Sequence, residues 1–147
     1  MADELDLSGE ISEAIDGAAL RGKTAVLGYV DSDGYAALSY RGSLQVHSAT
    51  QLAFWSRTRE GGVVDGIAAN PKVSILYFGG GKGPGPRFLS FRGLAHVEPD
   101  ADDAVYQSML EGERDQDPDR RGVAVVIEVE SVRGSGTDGS FEQAAKS

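Results

Sequence analysis

Short β-prone segments separated by glycine-containing turns constrain the fold of this chain more than any other feature of its sequence. The turns at 31–34 and 41–42 place Gly34 and Gly42 where a tight hairpin requires a positive φ. Segments joined by such short turns pair antiparallel. The first half of the chain is therefore predicted to form strands at 24–30, 35–40, 43–47 and 52–56.

The second half continues this pattern with a helix inserted. Apolar residues at helical spacing predict a helix over 63–68, which ends at Asn70-Pro71. The Gly- and Pro-rich run at 79–86 is predicted to be a projecting hairpin loop. The final strand is apolar on both faces at its start and is expected to lie centrally in the sheet. The predicted strands of this half are 73–78, 87–97 and 122–132. Two more helices are predicted, one at 7–19 with Ser8 as its N-cap and one at 100–111. A solvated loop is predicted at 111–121.

Many short strands with few helices define the expected fold class. The chain is predicted to be mainly β (α+β), a six- to seven-stranded antiparallel split β-barrel with a few short helices, because an open sheet would leave long unpaired edges. A β-sandwich is the structural alternative. Residues 1–133 are expected to form a single domain with an N-terminal helix, and 134–147 a flexible C-terminal tail with Phe141 as its docking residue.

The formal charge of −9 is unevenly distributed along the chain. Residues 1–20 and 98–120 carry net charges of −6 and −7, whereas 21–97 carries +5 and 121–147 carries −1. The overall sign disfavours broad polyanions such as nucleic acid or an anionic membrane surface. A small anionic ligand remains compatible with the basic centre, on the condition that the acidic ends fold away from it.

Composition disfavours several kinds of site. The chain has no Cys, which removes thiolate catalysis and Cys-based metal sites, and only His47 and His96 could supply imidazole ligands. No metal site is therefore predicted. The acidic N-terminal residues do not resemble a signal peptide, and no apolar run approaches the ~20 residues that span a bilayer. A cytoplasmic location is expected.

The turn that precedes the 63–68 helix has the chemistry of an anion site. Two guanidinium groups and two hydroxyls directly precede, in the sequence, a helix start that contains glycine and has free backbone N–H groups. A phosphate binds well to such a combination of donors. The alternative is a solvent-exposed turn whose arginines only confer solubility. Trp55, directly before the turn, would either stack on a flat ligand or belong to the core. The residues of the turn are Ser56, Arg57, Thr58 and Arg59.

Two segments carry a resemblance to a known family. They are the strand entry Asn-Pro-Lys-Val at 70–73 and the strand Arg-Gly-Leu-Ala-His-Val at 92–97. Together with the order of elements over 7–134, they resemble the pyridoxamine 5'-phosphate oxidase-like FMN-binding split-barrel family. The resemblance implies a split-barrel homodimer that binds a flavin-type cofactor, FMN or the deazaflavin coenzyme, at the subunit interface.

The same resemblance assigns residues to the cofactor. At the position where family members commonly carry a phosphate-binding Lys, this chain has Val63, and Gly61 stands where a Ser is common. Arg57 and Arg59 offer forked donors that suit phosphate and would replace the Lys; otherwise the chain binds a different flavin or none. The residues assigned to the phosphate are Trp55, Ser56, Arg57, Thr58 and Arg59, and those assigned to the ring system are Ser43, Leu44 and Gln45.

The implied function is that of an oxidoreductase. The resemblance implies two-electron (hydride) transfer on a small organic substrate, with the cofactor supplying the chemistry. No acid–base side chain stands out in the sequence, so no catalytic residue is assigned. Two alternatives remain open, namely a non-catalytic carrier of a flavin or haem-like ligand and a barrel dimer without a ligand.

Overall fold

The computed structural model describes residues 2–80, 85–136 and 139–146. No helix within these ranges is long and apolar enough to span a membrane. The helices are α1 (Glu10–Asp16), α2 (Gly62–Ala69), α3 (Asp102–Ser108) and α4 (Glu111–Arg114), with a 3₁₀ turn at Pro99–Ala101. The strands are β1 (Asp3–Glu4), β2 (Val26–Val30), β3 (Ala36–Tyr40), β4 (Gln45–Ser48), β5 (Gln51–Ser56), β6 (Lys72–Phe78), β7 (Phe88–Val97), β8 (Val123–Gly136) and β9 (Gly139–Ala144).

All nine described strands belong to one sheet, which does not close into a ring of paired strands over these residues. Its main path runs β1-β9-β8-β7-β6-β2-β3, and β4 joins it through β5, which pairs with β8. Every pairing is antiparallel except the short parallel contact of β1 with β9. The mainly β fold class is confirmed, and β1 and β9 add two strands near the chain ends.

Three strands, β5, β7 and β9, pair with β8. Its residues 125–128 lie between β5 and β7, and its residues 131–135 lie between β9 and β7. The register with β7 shifts between Arg92 and Gly93. Since β7 pairs along both stretches, β5 and β9 lie one after the other on the opposite edge of β8. The prediction that this strand lies centrally is confirmed.

Both faces of the β5–β8 pair are buried. One face, which includes Phe54 and Val125, packs into the main core with α1 and α2. The opposite face packs beneath α3 in a second core. This two-sided burial explains why the two strands are apolar at consecutive positions instead of alternating. The second core consists of Ala53, Trp55, Ala101, Val105, Tyr106, Met109, Ala124 and Val126.

The C-terminal segment differs from the expected flexible tail. β8 continues to Gly136, and Gly139–Ala144 returns beside it as β9, with Phe141 packed against the main core. The backbone N–H and C=O groups of the extended β8 need partners, and the returning strand supplies them. The Gly- and Ser-rich composition concealed this strand, because it pairs through backbone groups and lacks an alternating apolar pattern.

Helix boundaries differ from the predictions in detail. α1 begins at Glu10, and Ser8 is not its N-cap, because Ser8 Oγ donates to Asp6 Oδ1 at 2.6 Å. The predicted helix at 100–111 and the loop after it form a 3₁₀ turn, α3 and α4. The predicted hairpin loop at 79–86 lies partly outside the described residues.

Replacing Gly122 with Ala is expected to destabilise the fold. A Cβ at this position would overlap the carbonyl oxygen of Ser56 and lie 2.7 Å from Trp55 Nε1. Since the obstacle is backbone, β5 or β8 would have to shift. We expect a loss of about 1–3 kcal/mol in the free energy of unfolding, measured by urea denaturation. The matched control is Gly112→Ala in α4, where no atom lies within 4 Å of the added Cβ. An equal loss in both variants would contradict this explanation.

Candidate functional site

Arg41, which follows β3, is half-buried and forms a basic corner with the exposed Arg57. The Arg41 guanidinium lies 5.0 Å from the centroid of the Phe54 ring, and its Nε has no hydrogen-bond acceptor among the described residues. Burial lowers the pKa of Arg41; Tyr29 opposes this shift, and the positive charge of Arg57 adds to it. Within the described ranges no carboxylate lies within 4.0 Å of either arginine. Two like charges are thus held close together without an ion-pair partner.

A narrow groove runs from this corner along β4. A cleft of about 50 Å³ contains Arg41, Arg57 and Glu113. A second cleft, of about 170 Å³, continues between β4 and the end of α3. The two clefts have three lining residues in common, so we describe them as one feature, the β4 groove. β4 pairs only with β5 in the described structure, so no strand covers its second edge. The shared residues are Gly42, Ser43 and Met109.

Five of the eight residues predicted to bind a cofactor line the β4 groove. The other three are not among its lining residues. Ser56 is buried, and its Oγ donates a hydrogen bond to the Thr58 carbonyl oxygen at 2.7 Å. Arg59 is exposed and forms an ion pair with Asp102 at 3.1 Å. The five residues that line the groove are Ser43, Leu44, Gln45, Trp55 and Arg57.

Several of these five side chains are engaged inside the protein. Ser43 Oγ accepts a hydrogen bond from the Trp55 backbone N–H at 2.9 Å. Gln45 Nε2 donates to the carbonyl oxygens of Ser43 and Val105, both at 3.2 Å. Leu44 belongs to the main core. Whereas these polar groups already have partners, Arg41 Nε is a buried side-chain atom of the groove that has none within the described residues.

No protein-family model and no curated protein matches the sequence. Solved structures share its fold. HupZ of Group A Streptococcus has a TM-score of 0.64 at 14% identity, over 94% of this chain and 97% of that chain. A Clostridium acetobutylicum protein related to general stress protein 26, of the pyridoxinephosphate oxidase family, has a TM-score of 0.60 at 11% identity, over 90% and 95%. An F420 reductase has a TM-score of 0.56 at 21% identity, over 75% and 88%. The chain has the split-barrel fold of the pyridoxamine 5'-phosphate oxidase-like proteins.

The predicted resemblance is therefore confirmed for the fold. The structure also shows the surroundings of the two positions, 61 and 63, at which the chain departs from the residues common in the family. Val63, at the position where a phosphate-binding Lys is expected, lies in the first turn of α2 and is buried in the main core. Gly61 has a φ of 79° and carries no side chain. Arg41 was missed in the sequence, although a signal was present: it is the only Lys, Arg, Asp or Glu between residues 35 and 56.

The acidic stretch 98–120 of the split barrel folds onto the basic turn. Asp102 pairs with Arg59, and Gln116 Oε1 accepts a hydrogen bond from Arg57 Nη1 at 3.4 Å. The condition that the acidic ends fold away from the basic centre is not met by this stretch. The physical reason is the apolar face of α3, because burying it against β5 and β8 carries the acidic side chains to the edge of the turn.

Trp55 is held by a buried carboxylate from the same stretch. Its Nε1 donates to Asp117 Oδ2 at 2.9 Å, and its ring meets the Tyr106 ring edge-on, with the centroids 5.2 Å apart. The backbone N–H groups of Arg121 and Gly122 also donate to Asp117, at 2.9 and 2.8 Å. Burial opposes the charged carboxylate, but these three donors outweigh it and hold the pKa of Asp117 below its usual value. The Trp55 ring is thus part of the second core.

Replacing Asp117 with Asn is expected to lower the free energy of unfolding at pH 7 by about 1–3 kcal/mol, because an amide nitrogen faces N–H donors where an oxygen accepted them. Because the pKa of Asp117 is lower in the folded protein than in the unfolded chain, its carboxylate stabilises the fold at pH values above the unfolded pKa of about 4. This stabilisation is lost as the pH falls through the folded pKa. The variant should therefore lose less stability than the wild type as the pH falls from about 5 to below the unfolded value of about 4.

Urea denaturation followed by the fluorescence of Trp55, the single tryptophan, measures both effects. Asp119→Asn is the matched control, because that side chain is 75% exposed and its only ion pair, with Arg121, spans 3.7 Å in the described structure. Parallel pH profiles for the wild type and Asp117→Asn would show that the Asp117 carboxylate does not stabilise the fold.

Proposed function

We propose that this split barrel binds a flavin-type cofactor in the β4 groove, with the cofactor phosphate at Arg41 and Arg57. The observation that carries the proposal is the unpartnered Nε of the half-buried Arg41 beside a second guanidinium. Like charges at such a place repel, and a bound anion removes the repulsion while accepting forked hydrogen bonds. These residues fit a phosphate group, which the FMN and deazaflavin cofactors both carry.

The comparisons support the same class of ligand. One neighbour is named an F420 reductase, and another is assigned to the pyridoxinephosphate oxidase family. When bound, a flavin or deazaflavin supplies two-electron transfer, so the reaction class is oxidation or reduction of a small organic substrate. In this proposal Arg41 and Arg57 orient the phosphate, and Ser43, Leu44 and Gln45 border the ring system. No side chain is assigned a catalytic role.

An exposed apolar face supports a homodimer. By strand register, large apolar side chains of β3, β6 and β7 project from one outer face of the sheet. Monomeric proteins rarely expose contiguous apolar surface of this kind. Tyr40 also lines the smaller cleft of the β4 groove, so a second copy on this face would complete the cofactor site. The side chains, 37% to 75% exposed, are Leu38, Tyr40, Leu76, Phe78 and Leu94.

The proposed dimer predicts that Leu38→Asp shifts the protein towards monomer. Burying the introduced carboxylate at the interface is unfavourable. We expect the dimer dissociation constant to rise at least about tenfold, as measured by native mass spectrometry over a concentration series. Leu20→Asp is the control, because Leu20 is 75% exposed but lies outside the sheet. A monomeric wild-type protein, or an equal shift in both variants, would exclude this interface.

The proposed cofactor site predicts different effects for the three arginines. Arg41→Ala and Arg57→Ala should each weaken FMN binding by about 1.5–3 kcal/mol, because each removes charged hydrogen bonds to the phosphate. Arg59→Ala is the matched control with an expected effect of about 0–1 kcal/mol, since Arg59 is paired with Asp102. Calorimetric titration with FMN and the absorbance spectrum of the complex measure these changes.

Binding of riboflavin distinguishes the contribution of the phosphate from that of the ring system. It lacks the phosphate, so its affinity should be insensitive to all three substitutions. A wild-type protein that binds neither FMN nor the deazaflavin coenzyme would disprove the flavin proposal. Equal effects of Arg59→Ala and Arg41→Ala would instead place the phosphate along the whole turn, as the sequence predicts.

A cofactor carrier without turnover is the second candidate. No histidine is among the lining residues of the β4 groove. Of its two carboxylates, Asp16 is already bonded to the Val46 backbone N–H at 2.8 Å and to Ser12 Oγ at 3.0 Å. This leaves few side chains for proton transfer. Reduction of the bound cofactor by a hydride donor, followed by transfer to a small acceptor, would favour the oxidoreductase over the carrier.

A further inference from the structure

A cavity of about 350 Å³, which we call the α1 cavity, lies between α1 and the end of β6. It has no lining residue in common with either cleft of the β4 groove, so it is a separate feature of the fold. Its volume falls in the range of about 300–1,000 Å³ that is typical of pockets for small molecules. The polar side chains among its lining residues are those of Glu10, Glu13, Arg21, Tyr77 and Arg87.

The Arg21 guanidinium is fixed at the wall of this cavity. Its Nη2 donates to the Ala14 carbonyl oxygen at 2.6 Å and to the Tyr77 hydroxyl oxygen at 3.2 Å. A Cβ on Gly17 would overlap Arg21 Nη1, so the glycine leaves the room that the guanidinium occupies. These two bonds are the side-chain hydrogen bonds of Arg21 in the described structure. The N–H groups of its Nη1 and Nε therefore remain to donate to a ligand.

The Tyr77 hydroxyl lies on the buried side of the α1 cavity. Tyr77 is 3% exposed, and its hydroxyl oxygen accepts the bond from Arg21. A tyrosine hydroxyl also has one proton to donate, and within the described residues that proton has no acceptor. A Cβ on Gly79 would lie 2.5 Å from the Tyr77 hydroxyl oxygen, so this position needs a glycine. Because buried donors are nearly always paired, we expect an acceptor that enters the cavity from outside the chain.

Two carboxylates and two guanidinium groups line the α1 cavity without forming close ion pairs. Glu10 and Glu13 are three positions apart in α1 and therefore lie on one side of the helix. Arg87 directly precedes β7, and its carbonyl oxygen accepts the Gly79 N–H at 2.7 Å. Among the described residues no ion pair within 4.0 Å joins these carboxylates to Arg21 or Arg87. The cavity thus presents both signs of charge to a ligand.

We propose that the α1 cavity binds a small zwitterion, the ammonium and carboxylate end of a free α-amino acid. The ligand carboxylate accepts hydrogen bonds from the Tyr77 hydroxyl and the Arg21 guanidinium, and the ammonium group faces Glu10 and Glu13. A simple anion is attracted by the arginines but repelled by both glutamates, and a simple cation meets the reverse. A zwitterion is attracted at both ends. The site goes beyond the flavin proposal and does not depend on it.

Titrations of the full chain with glycine, acetate and methylammonium test the proposal. Glycine carries both charges, whereas each of the other two probes carries one. Binding is followed by backbone amide chemical shifts at constant ionic strength. We expect saturable glycine binding, at least about fivefold tighter than that of either ion, which is the size of one partly exposed charge interaction. No saturation, or glycine binding no tighter than that of acetate or methylammonium, would overturn the proposal.

Two variants test the two ends of the ligand. Tyr77→Phe removes a donor to the carboxylate and should weaken the binding of glycine and acetate about three- to tenfold, with little effect on methylammonium. Glu13→Gln should weaken the binding of glycine and methylammonium about two- to fivefold but strengthen that of acetate, because one repelling charge is removed. The matched controls, expected to change none of the affinities, are the exposed positions Tyr35→Phe and Glu111→Gln outside the cavity.

The variants also show where the probes bind. Unchanged glycine affinity in both cavity variants, or equal changes in the controls, would overturn the site. Shifts that are confined to the β4 groove and are lost in Arg41→Ala would place the probes there, with the same consequence. If Tyr77→Phe does not fold, Glu13→Gln decides alone, since its effects on glycine and acetate have opposite signs. Weaker binding of all three probes to a folded Glu13→Gln would contradict the proposal.

Discussion

The structure depends on the burial of both faces of the β5–β8 pair. A strand pair that is apolar on both sides needs a cover on each, and here one cover is the main core and the other is α3. Placing α3 over Trp55 and Val126 brings the acidic stretch to the end of β5. The positions of Asp102, Gln116 and Glu113 beside the basic region follow from this packing, because all three lie in the stretch that the burial of α3 has positioned.

The buried contacts and the surface ion pairs make different contributions. Asp117 is 6% exposed, and its three N–H donors tie the end of α4 to the entry of β8 and to the Trp55 indole. Removing one partner there leaves a buried polar group unsatisfied, which is costly. The Arg59–Asp102 pair is partly exposed and adds little to stability. Its larger effect is to neutralise Arg59, so the charge that remains available lies at Arg41 and Arg57.

Net charge is a poor guide to what this protein binds. The chain carries −9 overall, yet the cleft at the half-buried Arg41 and the exposed Arg57 has a single carboxylate, Glu113, among its lining residues in the described structure. Partial burial strengthens local electrostatic interactions, whereas the charges of the distant surface are screened within about 10 Å at ordinary salt concentrations. In the proposed site the charges of Arg41, Arg57 and Glu113 therefore outweigh those of the acidic exterior, which act only at long range.

The sequence alone determined the order of the elements from α1 to β8 except α4, the antiparallel strands among them, the central position of β8 and the basic character of the 56–59 turn. These follow from turn chemistry and from apolar patterns, which are local properties of the chain. Only the tertiary structure decided which polar side chains face inward. From the sequence, Ser43 and Trp55 could equally bind a ligand or belong to the core. The alternation of side chains along a strand separates its two faces but does not show which face is covered by the rest of the protein. The positions of Arg41, Glu113 and β9 were likewise decided by packing, because each depends on contacts between residues far apart in the chain.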